Sequence, residues 1–226
     1  MPRLLAIGDV HGHSKALEHL IRFARIGPED TLIMLGDYIN RGPDSRGVIE
    51  RLLKFTEENN LIPLLGNHEI TMLQARQSKS DVEFFLDCGG RETLASYGTT
   101  SLDDIPEAHW NFFSSCSRFH EEQKVFFVHA NVDPSLPLEH QPDHELFWRH
   151  LEFAPWHVSG KVMICGHTPQ PGGLPVHFGT AICIDSDVNR TGWLTCLEPK
   201  TGRYWQAHDS GQTRMGLLEP PDDFLD

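Results

Sequence analysis

Five short polar motifs recur along the 226-residue chain, and each of them follows a short apolar run. The motifs are Gly8–Gly12, Gly36–Gly42, Gly66–Glu69, Val128–Ala130 and Cys165–Thr168. The apolar runs before them, at 4–7, 32–35, 61–65, 125–128 and 162–165, have the pattern of buried strands. In open α/β sheets the loops that follow the strands gather at one edge and bind ligands there. The sequence therefore predicts that five distant segments form one site.

The side chains in these motifs are of the kinds that bind metal ions. Oxygens of Asp and Asn together with imidazole nitrogens suit Mn, Fe or Zn, whereas oxygens alone would indicate Mg or Ca. Asp9 and His11 lie two residues apart, so in an extended segment both would point the same way and bind one ion. The donors are too numerous for a single ion. Asp37 has two carboxylate oxygens with which to bridge two ions.

The remaining donors would complete the site around the second ion; they are Asn67, His129 and His167. Since neighbouring residues of an extended segment face opposite sides, Asn67 would face the metal and His68 the substrate. Most isolated histidines are solvated or partly buried side chains without a ligand. The histidines outside the motifs therefore receive no role, except that the roles of His13, which closely follows the first motif, and of His177, in a Gly/Pro-rich loop after the fifth, stay open.

With these motifs the chain resembles the metal-dependent phosphoesterases of the calcineurin-like superfamily, and most closely the bacterial serine/threonine phosphoprotein phosphatases. The resemblance extends over almost the whole chain. Further matching segments are Gly90–Gly98, Val132–Pro134, Leu136–Leu138, Gln141 and Phe147–Arg149.

The resemblance implies a site with two divalent ions, Mn in the first place and Fe or Zn as alternatives. One ion would be bound by Asp9, His11 and Asp37, and the other by Asp37, Asn67, His129 and His167. The resemblance further implies that His68 is the general acid and that Arg41 and Arg149 bind phosphate, which the planar guanidinium suits. The expected reaction is hydrolysis of phosphomonoesters by direct attack of metal-bound hydroxide.

One residue departs from the pattern of these phosphatases, which carry Asp where this chain has Asn40. A carboxylate there stabilises the protonated form of the acid histidine, and an amide has no charge with which to do so. Asn40 is either an introduced change or a natural divergence towards another phosphate ester or anhydride. A milder departure is Ile184–Asp187, where relatives have a small Gly-containing turn, and the role of Asp187 stays open.

The leading hypothesis is a serine/threonine-type protein phosphatase acting on a phosphorylated protein or a small phosphoester. The first alternative is hydrolysis of dinucleoside polyphosphates, because a relative with this fold performs that reaction and also lacks Asp at the position of Asn40. The second is a phosphate-binding protein whose catalysis is impaired.

The predicted fold class is α/β, with two packed mixed β-sheets flanked by helices and a small helical cap inserted at 80–122. The first half alternates strands with helical segments at 13–26 and 43–58 and with a helix that starts near Asn67, which predicts parallel strands with crossover helices. Strand-like segments in the second half suggest a second sheet; they lie at 124–129, 161–166, 181–185, 192–197 and 203–207. We expect a single domain over 1–226 with a flexible acidic tail at 217–226.

The charge and the cysteine content of the chain limit the kinds of partner and the cellular location that we expect. The net charge is −13 at pH 7, which argues against a nucleic-acid partner because such binding depends on clustered Lys and Arg. The five cysteines form no Cys-x-x-Cys pair, and together with the absence of an export signal they predict a cytoplasmic protein with no membrane association. The oligomeric state is left open.

Overall fold

The structure is a computed structural model that describes residues 2–154 and 156–218. Its strands are β1 Leu4–Ile7, β2 Thr31–Met34, β3 Asn60–Pro63, β4 Phe119–Glu121, β5 Val125–Val128, β6 Val162–Cys165, β7 Val176–His177, β8 Ala181–Cys183, β9 Trp193–Glu198, β10 Arg203–His208 and β11 Thr213–Leu217. The tail predicted at 217–226 begins within β11, and from residue 219 onward it lies outside the described residues. All eight strand-like segments singled out in the sequence are strands, within a few residues at each end.

The first sheet has six strands in the order β11-β10-β9-β1-β2-β3. β1, β2 and β3 are parallel, as predicted, whereas β9 runs antiparallel to β1 and pairs Cys196 with Ile7. The prediction that 192–197 and 203–207 belong to a second sheet is therefore wrong. A short apolar segment shows that a strand forms, but its partner is decided by packing between distant parts of the chain.

The second sheet has five strands in the order β4-β5-β6-β8-β7, of which β5, β6 and β8 are parallel. Its inner face packs on the first sheet, and the two contribute buried side chains to one cluster. That cluster includes Ala6 and Ile33 from the first sheet and Phe127, Ile164 and Ile182 from the second. The predicted α/β arrangement of two packed mixed sheets flanked by helices is confirmed.

The helices are α1 Ser14–Phe23, α2 Ser45–Thr56, α3 Asn67–Gln77, α4 Val82–Phe85, α5 Arg91–Tyr97, α6 Glu107–Ser115, α7 Asp143–Trp148 and α8 Val188–Thr191. α1 and α2 bury apolar residues such as Leu17, Leu20 and Leu52 in a cluster with the outer face of the first sheet. The region predicted as a helical cap at 80–122 is helical as far as Ser115, and then contributes β4 to the second sheet.

The parallel strands position the motifs. β1, β2 and β3 end just before the first three motifs, while β5 and β6 end with the first residues of the last two. β1, β2 and β3 are parallel to one another in the first sheet, and β5 and β6 are parallel to each other in the second. Their carboxyl ends therefore lie at one edge. The loops that carry the motifs meet there.

Gly36 allows the loop after β2 to turn against the loop after β3. It has φ +97°, and a Cβ there would lie 2.7 Å from the backbone nitrogen of Gly66. Gly98 also has a positive φ, of +73°, but a Cβ there would have no other atom within 4 Å. Gly98→Ala therefore isolates backbone strain, whereas Gly36→Ala adds a steric conflict.

We expect Gly98→Ala to lower the free energy of unfolding by about 1–2 kcal/mol, and Gly36→Ala to lower it by about 1–3 kcal/mol more because the backbone around Gly66 must shift. Urea unfolding of both variants measures the difference. Equal losses would contradict the close approach of the two loops.

Candidate metal centre

Several site residues have an unusual backbone conformation. Seven described non-glycine residues have a positive φ, and five of them are predicted site residues: His11, Asp37, Asn40, Arg41 and His167. Such conformations cost free energy and persist where the surroundings hold them in place, often at functional sites. The prediction that His11 lies in an extended segment alongside Asp9 is wrong, because the φ of His11 is 44°.

One group of donors forms around His129. Its Nε2 lies 2.9 Å from Oδ1 of Asn67, 3.1 Å from Nδ1 of His167 and 3.5 Å from Oδ1 of Asp37. Nδ1 of His167 is also 3.1 Å from Oδ1 of Asn67. The predicted donors to the second ion thus lie together in the structure.

The protonation of these imidazoles makes the group suited to a cation. Nδ1 of His129 donates to the carbonyl of Leu35 at 2.8 Å, and Nε2 of His167 donates to the carbonyl of Trp148 at 3.1 Å. Burial lowers the pKa of His129 to about 4 and that of His167 to about 3, so both are neutral near pH 7. Each then presents a lone pair to the other and to Asn67 Oδ1. Three acceptors at this distance repel one another unless a cation lies between them.

A second group consists of His11, Asp37 and His68, whose donor atoms lie within 4.8 Å of one another. Nδ1 of His11 donates to the carbonyl of Ile39 at 3.0 Å, which leaves Nε2 as the lone-pair atom, 3.6 Å from Oδ2 of Asp37. Burial lowers the pKa of His11 to about 3. Asp37 belongs to both groups, through Oδ1 to one and Oδ2 to the other, which is the arrangement that bridging requires.

Asp9 belongs to neither group of donors. Its carboxylate accepts a hydrogen bond from the backbone N–H of His167 at 3.1 Å, and a side chain at Gly166 would collide with it. Burial and the neighbouring carboxylates of Asp185 and Asp37 raise its pKa well above the usual range. A divalent cation would reverse this by stabilising the ionised carboxylates. The assignment of Asp9 to the first ion stays a prediction.

Asp185 is a buried carboxylate near the site that the sequence motifs did not mark as a candidate. Burial raises its pKa to about 7, and its charge acts on that of Asp9. It follows directly after the buried apolar run that ends at Ile184, the same signal that marked the other motifs.

Glu69 connects two of the loops. Its carboxylate accepts from the backbone N–H groups of Asp37 and Tyr38, both at 2.8 Å, and of Gly66 at 3.1 Å. The bond from Gly66 satisfies the backbone N–H of the residue that precedes α3. Asn67 and His68 are the first residues of α3, which confirms the predicted helix starting near Asn67. The expectation that these two residues lie in an extended segment is wrong. Their side chains diverge because successive residues of a helix are about 100° apart.

His68 is held by Asn40. Nδ1 of His68 lies 2.8 Å from Nδ2 of Asn40, and its Nε2 lies 3.9 Å from Oδ2 of Asp37. Burial, followed by the neighbouring His11 and Arg41, lowers the pKa of His68. The imidazole is therefore neutral near pH 7.

The two predicted phosphate-binding arginines differ in their placement. Nη1 of Arg41 lies 3.3 Å from Nε2 of His11, at the edge of the donor groups, and the backbone N–H of Arg41 donates to the carbonyl of Gly89 in the cap. The guanidinium of Arg149 is 56% exposed and pairs with Glu145 at 2.9 Å. The structure thus brings Arg41 to the donors but not the guanidinium of Arg149.

The residues whose roles were left open lie outside both donor groups. His13 contacts Asp209 through Nδ1 and Asn189 through Nε2, and His177 contacts the carbonyl of Gly179. Asp187 precedes α8 with φ 52°.

A two-sheet α/β fold with buried His, Asp and Asn donors at the strand ends defines a class of metal-binding hydrolases. The model of the calcineurin-like phosphoesterase family matches residues 2–192. The chain belongs to this family, whose members use divalent metals.

Similar proteins carry names that refer to different phosphate compounds. The chain is 31% identical over 144 residues to the symmetrical bis(5'-nucleosyl)-tetraphosphatase of Paracidovorax citrulli, covering 62% of this chain and 48% of that protein. A putative diadenosine tetraphosphatase has a similar fold, with TM-score 0.66, 20% identity and coverage of 96% and 94%. The fold is also similar to that of a cold-active protein tyrosine phosphatase, with TM-score 0.67 and 16% identity. The match covers 94% of this chain and 78% of the phosphatase chain. The chain spans less than half of the length of the curated tetraphosphatases that it matches.

No helix within residues 2–154 and 156–218 is long and apolar enough to cross a membrane.

We expect divalent metal to stabilise the folded protein, because a cation relieves the repulsion among the lone pairs around His129. At a metal concentration 100-fold above Kd, the gain is about 2.7 kcal/mol, or roughly 5–10 °C in Tm for a chain of this size. Thermal unfolding of metal-stripped protein with and without Mn measures it. His129→Ala should reduce the gain, while the exposed His144→Ala should keep it; an equal gain in both variants would argue against the site.

Glu69→Gln should lower the free energy of unfolding of the metal-free protein by about 1–3 kcal/mol, because the amide NH2 faces backbone N–H groups that then lack an acceptor. Urea unfolding measures this loss. The matched substitution Glu92→Gln lies on the surface, and we expect it to change stability by less than about 0.5 kcal/mol. Similar values for the two variants would show that Glu69 does not hold the loops together.

Proposed function

We propose that this protein hydrolyses phosphoric anhydrides of the dinucleoside polyphosphate type in a metal-dependent reaction. The observation that carries the proposal is the pair of donor groups that share Asp37, one of which includes the neutral His68. The side chains that would bind the metal ions are those of His11, Asp37, Asn67, His129 and His167, and Asp9 is a predicted sixth ligand. Divalent ions bound there would polarise phosphoryl oxygens and make water nucleophilic near neutral pH.

Two side chains would act on the substrate directly. Arg41 lies beside the donor group of His11, where its guanidinium can donate to two oxygens of a phosphoryl group and stabilise the charge that develops on them. His68 presents Nε2 towards the same region, 3.9 Å from Oδ2 of Asp37. A neutral imidazole can donate a hydrogen bond to a leaving oxygen without transferring its proton.

The leaving group favours an anhydride over an alkyl ester. Cleavage of a polyphosphate releases a phosphate group, whose second pKa is about 6, so it departs as an anion near pH 7 without a proton. An alkoxide from phosphoserine needs a proton during departure. The pKa of His68 is lowered and Asn40 has no charge with which to raise it. The curated relatives are named symmetrical bis(5'-nucleosyl)-tetraphosphatases. These names refer to a substrate with phosphoric anhydride bonds, which supports the proposal.

The serine/threonine-type protein phosphatase is the second candidate. Arg41 is the observation that favours it, because an arginine at the edge of the donor groups suits a terminal phosphate as well as an internal one. In this role phosphoserine peptides would be hydrolysed as well as anhydrides. We propose Mn as the working ion for either substrate and a location in the cytoplasm.

The experiment compares diadenosine tetraphosphate, p-nitrophenyl phosphate and a phosphoserine peptide, with Mn added to metal-stripped protein. We expect Mn-dependent turnover that is fastest with diadenosine tetraphosphate and lost in His129→Ala, but retained in His144→Ala. Faster release of phosphate from the peptide would favour the protein phosphatase. Tight binding of the peptide without turnover of any substrate, at saturating Mn, would favour a phosphate-binding protein.

Asn40→Asp should increase turnover of the phosphoserine peptide relative to diadenosine tetraphosphate by at least about tenfold, because a carboxylate beside His68 favours the imidazolium that protonates an alkoxide. The ratio of kcat values for the two substrates measures the effect. Asn60→Asp, at an exposed position of β3, is the control for added charge. An equal change with both substrates would refute this account of Asn40.

A further inference from the structure

The hydroxyl groups of Ser45 and Thr93 form a buried chain behind Asn40. Oγ of Ser45 and Oγ1 of Thr93 lie 3.0 Å apart, and the backbone N–H of Asn40 donates to both, at 3.1 and 2.9 Å. Oδ1 of Asn40 lies 2.7 Å from Oγ1 of Thr93, and Nδ2 faces His68. Ser45, Thr93 and Asn40 are all fully buried, so water does not compete for these bonds.

The hydrogens of this chain can be assigned by satisfying every buried group. Among the described residues, Oγ of Ser45 contacts only the Asn40 N–H and Oγ1 of Thr93. The Asn40 N–H is a donor, so the hydroxyl hydrogen of Ser45 can go only to Thr93. Thr93 must then donate its own hydrogen to an acceptor, which is Oδ1 of Asn40. This leaves Nδ2 of Asn40 facing Nδ1 of His68.

The opposite orientation of the amide leaves a buried group unsatisfied. If Nδ2 of Asn40 faced Thr93, Thr93 would accept that bond and have to donate to Ser45. The hydroxyl hydrogen of Ser45 would then lack an acceptor, at a cost of about the size of a lost buried hydrogen bond. The hydroxyl chain therefore selects one amide orientation.

We infer that Thr93, assisted by Ser45, is a specificity-determining positioning residue that fixes Asn40 as a donor to Nδ1 of His68 and so holds His68 as the Nε2–H tautomer. In this tautomer the only N–H of the imidazole is on Nε2, which faces the substrate region. The site then offers a hydrogen bond to the leaving oxygen. This suits a leaving group that departs as an anion, so the inference rests on the proposed function and extends it to the residues that set substrate preference.

Thr93 also connects this preference to the cap. It belongs to α5, which follows the turn at Gly89 that contacts Arg41. A side chain at Gly89 would lie 2.5 Å from the backbone nitrogen of Arg41. The cap thus holds both the proposed phosphate-binding arginine and the amide that orients His68.

Three variants test the inference. Thr93→Val keeps the shape but removes the hydroxyl, Thr93→Ser restores a hydroxyl, and Thr195→Val removes a buried hydroxyl that hydrogen bonds to Ser186 and Gln206 in a different network. With diadenosine tetraphosphate we expect Thr93→Val to lower kcat about tenfold, with KM within about twofold, because the loss of one oriented hydrogen bond is worth about that factor. Thr93→Ser should recover most of the rate, and Thr195→Val should keep it.

The tautomer itself is measured by ¹⁵N NMR of the imidazoles in metal-free protein, with His68 assigned through its own variant. We expect His68 to be unprotonated at Nδ1 and protonated at Nε2, and Thr93→Val to gain a population protonated at Nδ1. A His68 protonated at Nδ1 in the unmodified protein, or a tautomer unaffected by Thr93→Val, would overturn the inference. If no substrate is turned over, the proposed function fails, whereas the NMR result still decides the tautomer.

Discussion

The Glu69 carboxylate is the interaction on which the rest of the site depends. It accepts from backbone N–H groups of Asp37 and Tyr38 after β2 and of Gly66 after β3, and so joins two loops that would otherwise turn independently. The backbone N–H of His68 in turn donates to Oδ1 of Asp37 at 3.1 Å. One carboxyl group thereby fixes the bridging candidate and the start of α3 together.

Three of the imidazoles are positioned by a hydrogen bond from one ring nitrogen to a backbone carbonyl. His11 donates to Ile39, His129 to Leu35 and His167 to Trp148. The carbonyls of Leu35 and Ile39 lie in the loop that follows β2, and that of Trp148 lies at the end of α7. The backbone around the site thus determines both where each ring lies and which nitrogen keeps its lone pair. His68 is the exception, since the amide of Asn40 donates to its Nδ1 where a carbonyl would accept, and its hydrogen is left on Nε2.

The sequence predicted the strand ends and the donors because an apolar run followed by polar side chains is a local pattern. The sequence-based prediction failed where strand order depends on pairing between distant segments, since β9 and β10 belong to the first sheet. The residue pattern of a six-residue strand does not indicate which strand it pairs with. The helix that begins at Asn67 was predicted, and the extended geometry expected for Asn67 and His68 was inconsistent with it. Asp185 could have been found as a carboxylate at a strand end. The ion pair of Arg149 with Glu145 has the four-residue spacing of a helical ion pair, a signal that the phosphate-binding assignment did not take into account.

The two donor groups form one dinuclear centre only if Asp37 is shared by two cations. Crystals of the protein loaded with Mn, with anomalous diffraction recorded at the Mn edge, test it most directly. We expect two peaks about 3.5–4 Å apart, one on the side of Oδ1 beside His129 and the other on the side of Oδ2 beside His11. A single peak, or two peaks that do not both contact Asp37, would contradict it.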